Sequence, residues 1–413
     1  MNLWRPGERS DFAKQLYAQA ASKQRATEFT GEVARELACA KTGLEDFGDG
    51  DIDEGLAVLV DSIVHEARLN PLGMTSNGVG MPVDMLRARL ELVAARKEHP
   101  QVFERPIERP IVIVGGSRTG TTLLQRMLGS DPRLRTPRLW EMTSTRGFAF
   151  GGDEARSRQR NRADLGQKML QALNPAMKAV HYSEADGPEE CVMMMGTDLR
   201  NHALLSCMNV PGYQAWLERQ DMRESYRRHR AQAQLLDHGA GRDGPPPRWL
   251  FKAPYHLPAL EALAEAYPDA CVVHTHRDVV QTVTSTCSLY ATFRSTFSDS
   301  VDPVEIGRQQ QAILPRWFES AVRARRNLAE SGVRFFDVAY DELVADPLAM
   351  AARILTFAGL EPTDDSRASM SLWLDANRYG GHGGHSYAPH EFAIDADALR
   401  DAMTSYRREF DVT

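Results

Sequence analysis

The segment Pro110-Ile111-Val112-Ile113-Val114-Gly115-Gly116-Ser117-Arg118-Thr119-Gly120-Thr121-Thr122-Leu123-Leu124 constrains this chain more than any other. An apolar run empties into a glycine-rich loop and then into an apolar-periodic stretch, which reads as strand, loop and helix. Gly115 and Gly120 bracket four residues and two hydroxyls follow, the spacing of G-x-x-x-x-G-K-[ST] with Thr121 standing in the lysine's place. Backbone N–H groups of such a loop, with a helix dipole behind them, bind an anionic group. The cation sits inside the loop as Arg118. Its planar fork suits a bidentate hold on phosphate or sulfate oxygens rather than a triphosphate chain carried with Mg²⁺.

A length of 413 residues, 42% of them apolar, allows two domains or one α/β domain with an appendage. The net charge of −7 argues against a broad nucleic-acid surface and leaves room for local basic pockets, so small anionic partners are expected. Five cysteines, odd in number and without C-x-x-C pairing, argue against a disulfide framework and a zinc site, and no metal is expected. No run approaches the roughly 18 apolar residues of a spanning helix, and the first residues hold no apolar leader core. The expectation is a soluble, cytoplasmic protein with no transmembrane segment.

Residues 1–104 show only helical patterning, at 11–23, 30–42, 52–68 and 82–97. They read as a helical N-terminal region, to which no chemistry is assigned: packing, a lid, a substrate wall or a homodimer surface all suit it. Residues 105–413 alternate strands with helices, which predicts a P-loop-like parallel sheet flanked by helices, an α/β fold with a helical N-terminal extension. After the first strand come strands at 248–252, 271–275 and 333–338, each read as buried on both faces, with helices at 258–267, 279–290 and 304–331. Residues 239–247 read as an exposed loop. Ligands of open parallel sheets bind beyond the carboxyl ends of the strands. That rule selects the 115–120 loop, Lys252, and His276-Arg277-Asp278.

These residues resemble the sulfotransferases, which use 3′-phosphoadenosine 5′-phosphosulfate (PAPS). The loop has the Gly-x-Arg-x-Gly-Thr-Thr form, and a strand-end arginine is followed eight positions later by serine. The resemblance implies that Ser117, Arg118, Thr119, Gly120, Thr121 and Thr122 cradle the 5′-phosphosulfate and that Arg277 and Ser285 take the 3′-phosphate. Phe336-Asp337-Val338-Ala339-Tyr340-Asp341-Glu342-Leu343, followed by Asp346-Pro347, is similar to the family's Tyr-Glu-Asp-Leu segment, which puts Tyr340 near the adenine. The likeness spans about 109–412 and is nearer the tyrosylprotein and bacterial branches than the cytosolic one. It implies that Glu141, in Leu139-Trp140-Glu141-Met142, is the base, and that Lys252, in Lys252-Ala253-Pro254-Tyr255, holds the transferring sulfuryl group beside Arg118.

Sulfuryl transfer asks for the same residue types on chemical grounds. The acceptor hydroxyl must lose a proton to a carboxylate or imidazole, and charge growing on the bridging and equatorial oxygens needs fixed cations. His256 ranks second as base, with His181, His274 and His276 behind it. Trp140, Met142 and Phe148 suggest a small or lipid-like hydroxyl acceptor, and Met193-Met194-Met195 reads as core before ligand wall. The tract with His382 and His385 resembles the loop that closes over the nucleotide. Two rival functions remain at this level: a nucleotide kinase or NTPase in which Asp278 holds Mg²⁺, and a non-catalytic interaction protein on the same fold.

Overall fold

A computed structural model describes residues 3–23, 28–50, 52–241, 247–377 and 387–412. The His382 and His385 tract lies outside the described residues. Five parallel strands form one sheet: β1 Ile111–Gly115, β2 Leu134–Arg135, β3 Arg248–Lys252, β4 Cys271–His276 and β5 Arg334–Ala339, in the order β2-β3-β1-β4-β5. The central strands β1 and β4 are wholly buried, β1 as an apolar run and β4 as Cys271-Val272-Val273 followed by His274, Thr275 and His276, because helices cover both faces of the sheet. The two-residue β2 was not expected, since so short a piece carries no periodicity. The expectation that 333–338 is buried on both faces is corrected: β5 is an edge strand, with Val338 buried and Arg334, Asp337 and Ala339 exposed.

Helices fill the crossovers. Thr121–Leu128 follows β1, and Val279–Phe297 and Pro303–Asn327 join β4 to β5. Where one helix was expected at 258–267, a 3₁₀ turn at Pro254–Ala259 precedes a shorter helix at Leu260–Ala266. Two long helices carry no readable apolar period in their sequences. Gly152–Leu173 buries only Ala163 and Leu173 fully, so its polar sequence shows no apolar stripe. In Arg223–Gly239 the buried positions include Arg228, His229, Gln232 and Gln234, which masks the period.

The expected N-terminal helices form at Asp11–Lys23, Gly31–Thr42, Asp53–His65 and Gly80–Glu98. Their Leu56, Leu59, Leu86 and Leu90 join one apolar cluster with Val112, Val114, Trp249 and Phe251, so they share the core of one sheet face. The other face packs Ile111, Ile113, Leu250 and Val273 against Leu124, Leu128 and Ile354. The alternation along β1 and β3 therefore sorts their side chains between two layers. Arg89 fastens the first layer: its buried guanidinium donates to the carbonyls of Phe47, Asp49, Gly50 and Thr197.

The C-terminal helix Thr404–Phe410 docks through a polar network, with His276 between the Tyr406 hydroxyl at 2.7 Å and Asp337 Oδ1 at 2.8 Å. Burial opposes the Asp337 charge, but Arg325 and His276 outweigh it and hold the carboxyl well below its usual range. Among the described residues no helix is long and apolar enough to cross a membrane. Gly307, in Pro303–Asn327, sits where an added Cβ would lie 1.9 Å from the Phe392 carbonyl oxygen. Gly307→Ala is therefore expected to destabilise the protein by about 1–3 kcal/mol, measured as a lowered midpoint in urea with an unchanged slope.

Candidate active site

The β1 loop is shaped by backbone conformation before any side chain acts. Gly115, Arg118 and Gly120 have positive φ, +150°, +66° and +92°, turning the chain so that successive N–H groups converge at the start of the Thr121–Leu128 helix. Glycine is needed at two of these places for space as well: a Cβ on Gly115 would meet Thr275 Oγ1 at 2.1 Å, and one on Gly120 would meet Leu343 Cδ2 at 2.5 Å. The buried Thr119 locks the loop from below, donating to the Gly116 carbonyl at 2.7 Å and sharing a 2.6 Å hydrogen bond with Thr275 of β4. Ser117 is half-buried, Thr121 is buried at the helix start, and Arg118 and Thr122 are exposed at the loop's rim.

Arg277 and Tyr340 close one side. Arg277 donates to the Arg118 carbonyl at 2.8 Å, and its guanidinium lies 4.0 Å from the Tyr340 ring centroid. Ser285 is buried one turn beyond Thr282, and a Cβ on Gly116 would touch the Thr282 methyl at 2.4 Å, so the helix face bearing Ser285 abuts the loop. The structure thus brings the loop, Arg277 and Tyr340 together, with Ser285 one turn further along the helix that packs on the loop.

Lys252 closes the other side. It pairs in register with Ile113 of β1, two residues before the loop, and its side chain is only 2% exposed. Its Nζ lies 3.3 Å from Thr122 Oγ1 and 2.7 Å from Glu190 Oε1. A buried ammonium needs such a partner, and Glu190 supplies it although no motif in the sequence marks it. In the sequence it is the second of two consecutive acids, Glu189-Glu190, opening the Cys191–Met194 turn. Glu189 turns the other way, toward His181 Nε2 at 3.4 Å, and accepts from Ser183 and from the Glu190 N–H at 2.8 Å.

Three expected site residues are placed elsewhere. Glu141 is buried as the cap of the short Leu139–Met142 helix, accepting from the Arg138 N–H at 3.3 Å and facing Arg135 at 3.4 Å. Arg135 pairs with Trp249, which lies three residues, or about 10 Å of strand, before Lys252 and points to the opposite face of β3. The structure does not bring Glu141 to Lys252. Trp140, with Met142 and Phe148, lies in the core, edge-on to Phe148 at 5.2 Å. His256 is 1% exposed with both nitrogens engaged, by the Tyr226 hydroxyl at 2.7 Å and Cys191 Sγ at 3.1 Å. Burial first, then His229 and Lys252, push its pKa well below the ordinary imidazole range. Met194 and Met195 are core, while Met193 stands 47% exposed beside Glu190.

A parallel sheet with an anion-cradling loop at its carboxyl edge defines the class, a P-loop-like α/β fold. The chain belongs to the sulfotransferase family, whose model matches residues 110–365. It is similar to the sulfotransferase STF1 of Mycobacterium tuberculosis H37Rv, at 31% identity over 92% of this chain and all of that one, with a TM-score of 0.76. It is also similar to the sulfotransferase STF9 of Mycobacterium avium, at 27% identity over 95% of this chain and 99% of that one, with a TM-score of 0.81. No curated protein matches it. Membership makes the protein an enzyme of sulfuryl transfer whose donor is PAPS.

The kinase reading gives way. Asp278, its proposed Mg²⁺ holder, accepts from the Gln281 N–H at 2.7 Å as the cap of Val279–Phe297, and the site's buried lysine arrives from β3 rather than from the loop.

Proposed function

We propose that the protein moves the sulfuryl group of PAPS to the hydroxyl of a small or lipid-like acceptor with an apolar body. The observation that carries this reading is Lys252: a buried ammonium held beside a loop hydroxyl, at the carboxyl edge of the sheet, with an acid of its own. In this reading the loop N–H groups and Arg118 grip the 5′-phosphosulfate, Arg277 and Ser285 hold the 3′-phosphate, and Tyr340 borders the adenine. Lys252 faces the oxygens on which charge grows during in-line transfer, where a preorganised cation lowers the barrier. Half-exposed Met193, beside Glu190, and half-buried Phe293, 5.7 Å from the His181 ring, are the apolar surface offered to such an acceptor. A reducing, cytoplasmic setting suits the five free cysteines.

A melting assay with adenosine 3′,5′-bisphosphate and ATP, followed by sulfate transfer from PAPS to a panel of phenols and alcohols, tests the reading. The bisphosphate at a hundred times its Kd is expected to stabilise the fold by about 2.7 kcal/mol, with a smaller response to ATP and none to Mg²⁺. A site built around a 3′-phosphate rejects a nucleotide lacking one. Equal stabilisation by ATP, or a strict need for Mg²⁺, would return the kinase reading. Transfer to none of the hydroxyls would remove the acceptor class.

A further inference from the structure

Glu189 and Glu190 are consecutive, yet each faces a different nitrogen-bearing partner. Glu190 takes Lys252, and Glu189 takes His181. One peptide unit thereby fixes an imidazole in relation to the lysine beside the phosphate loop. We propose that His181, oriented by Glu189, accepts the proton of the acceptor hydroxyl. The proposal rests on the sulfuryl-transfer reading above and assigns its unfilled role.

The arrangement repeats the logic of a nucleophile activated by an imidazole that an acid holds in place. Glu189 is itself held, by the Ser183 hydroxyl and by the N–H of Glu190. His181 Nε2 faces Glu189, which leaves Nδ1 as the basic nitrogen. The ring is 30% exposed, so a substrate can reach it, and its neighbour on the Val279–Phe297 helix is the uncharged Phe293. The charged groups that bear on it are Glu189 and Glu190, which favour its protonation, and Lys252, which opposes it. Burial also opposes the charge, but the acids prevail and raise the imidazole above its ordinary pKa, making it a stronger base than free histidine.

The rivals lack this combination. Glu141 is committed to a helix cap and to Arg135. His256 has neither a free nitrogen nor access. His274 and His276 are buried in the network around Asp337 and Arg325.

In the transfer itself, the acceptor O–H bond breaks and its proton passes to His181 Nδ1. The acceptor oxygen bonds to sulfur as the bond from sulfur to the bridging phosphate oxygen breaks. The products are a sulfate ester and adenosine 3′,5′-bisphosphate, and His181 returns its proton to water.

The test uses the full chain with PAPS, an acidic phenol such as 4-nitrophenol and a poorly acidic alcohol such as benzyl alcohol. His181→Gln is expected to lower kcat for the alcohol by about 10²-fold or more, with a much smaller loss for the phenol, which ionises without help. Bisphosphate affinity should stay within about twofold, since no ground-state contact to the nucleotide is lost. Glu189→Gln, a change in a positioning residue, should move the acid limb of the pH profile to lower pH, because the group that raises the imidazole pKa is gone. NMR titration of His181 gives the same comparison in the resting protein, whatever the acceptor. Equal losses for both acceptors, or His181 titrating alike in wild type and Glu189→Gln, would overturn the proposal. So would collapse of turnover in Glu141→Gln with His181→Gln unaffected. Wild-type protein that transfers to no hydroxyl while binding the bisphosphate would instead count against the acceptor reading.

Discussion

Lys252→Met is expected to lower kcat by about 10²–10³-fold, the loss that follows removal of one preorganised donor to a developing oxyanion. The side chain is buried at the loop, so its ammonium works where water does not screen it, and methionine keeps most of its length and apolar stem. Bisphosphate affinity should change far less, because the proposed role of Lys252 is toward the transferring group rather than the 3′-phosphate. The Glu190 carboxylate complicates the single variant: without its lysine it is left largely buried and unpaired, and breaking such a pair costs about 3–5 kcal/mol of stability. Lys252→Met combined with Glu190→Gln removes both charges together. The pair of variants separates the effects, since the double variant should regain stability and remain inactive. Turnover within a few-fold of wild type in a folded Lys252→Met protein would remove the lysine from the chemistry. The measurements are single-turnover sulfate transfer and a urea midpoint for each variant.

Arg277→Ala is expected to weaken binding of adenosine 3′,5′-bisphosphate by about 10–10²-fold, the range set by losing a hydrogen bond to a charged group worth about 1.5–3 kcal/mol. The substitution has a second consequence here. The same guanidinium ties the Arg118 carbonyl and lies over Tyr340, so its loss frees the loop's rim and the ring beside it as well as the phosphate contact. Calorimetry with the bisphosphate and with adenosine 5′-phosphate divides the two parts. Loss confined to the bisphosphate reports the 3′-phosphate contact, and equal loss for both nucleotides reports the slackened loop. Unchanged affinity for both would place the 3′-phosphate away from Arg277.

Much of this was legible along the chain because it is local. Residues 110–124 specify strand, left-handed loop and helix through an apolar run, glycines where φ is positive, and hydroxyls at the helix start. Lys252 and Arg277 were found by the rule that strand ends carry function, and both do lie at the carboxyl edge of the sheet. The N-terminal helices followed from period alone. The helix Gly152–Leu173 did not, since a helix that buries almost nothing leaves no stripe to read.

Glu141 shows where spacing stops being informative. In sequence it sits a short way beyond the loop helix, among apolar residues, and its neighbourhood resembles a base-bearing segment. In space it belongs to Arg135 and the first residues of β3, a connection made by the pairing of the two-residue strand β2, which no pattern announces. Glu189, Glu190 and His181 show the converse. Nothing local distinguishes two acids before a methionine run from a solvated turn, and His181 lies eight residues upstream of Glu189 with no motif between them.

The parallel α/β architecture, the phosphate-type loop and the family are legible in the chain alone, since each is written in contiguous residues whose backbone preferences and periodicities act over a few positions. Which acid meets Lys252, which acid backs His181 and which glutamate is a cap depend on packing in three dimensions. Those pairings join segments tens of residues apart, and a charge is paired or left alone by packing, whose range is a few ångströms in space and carries no measure in sequence.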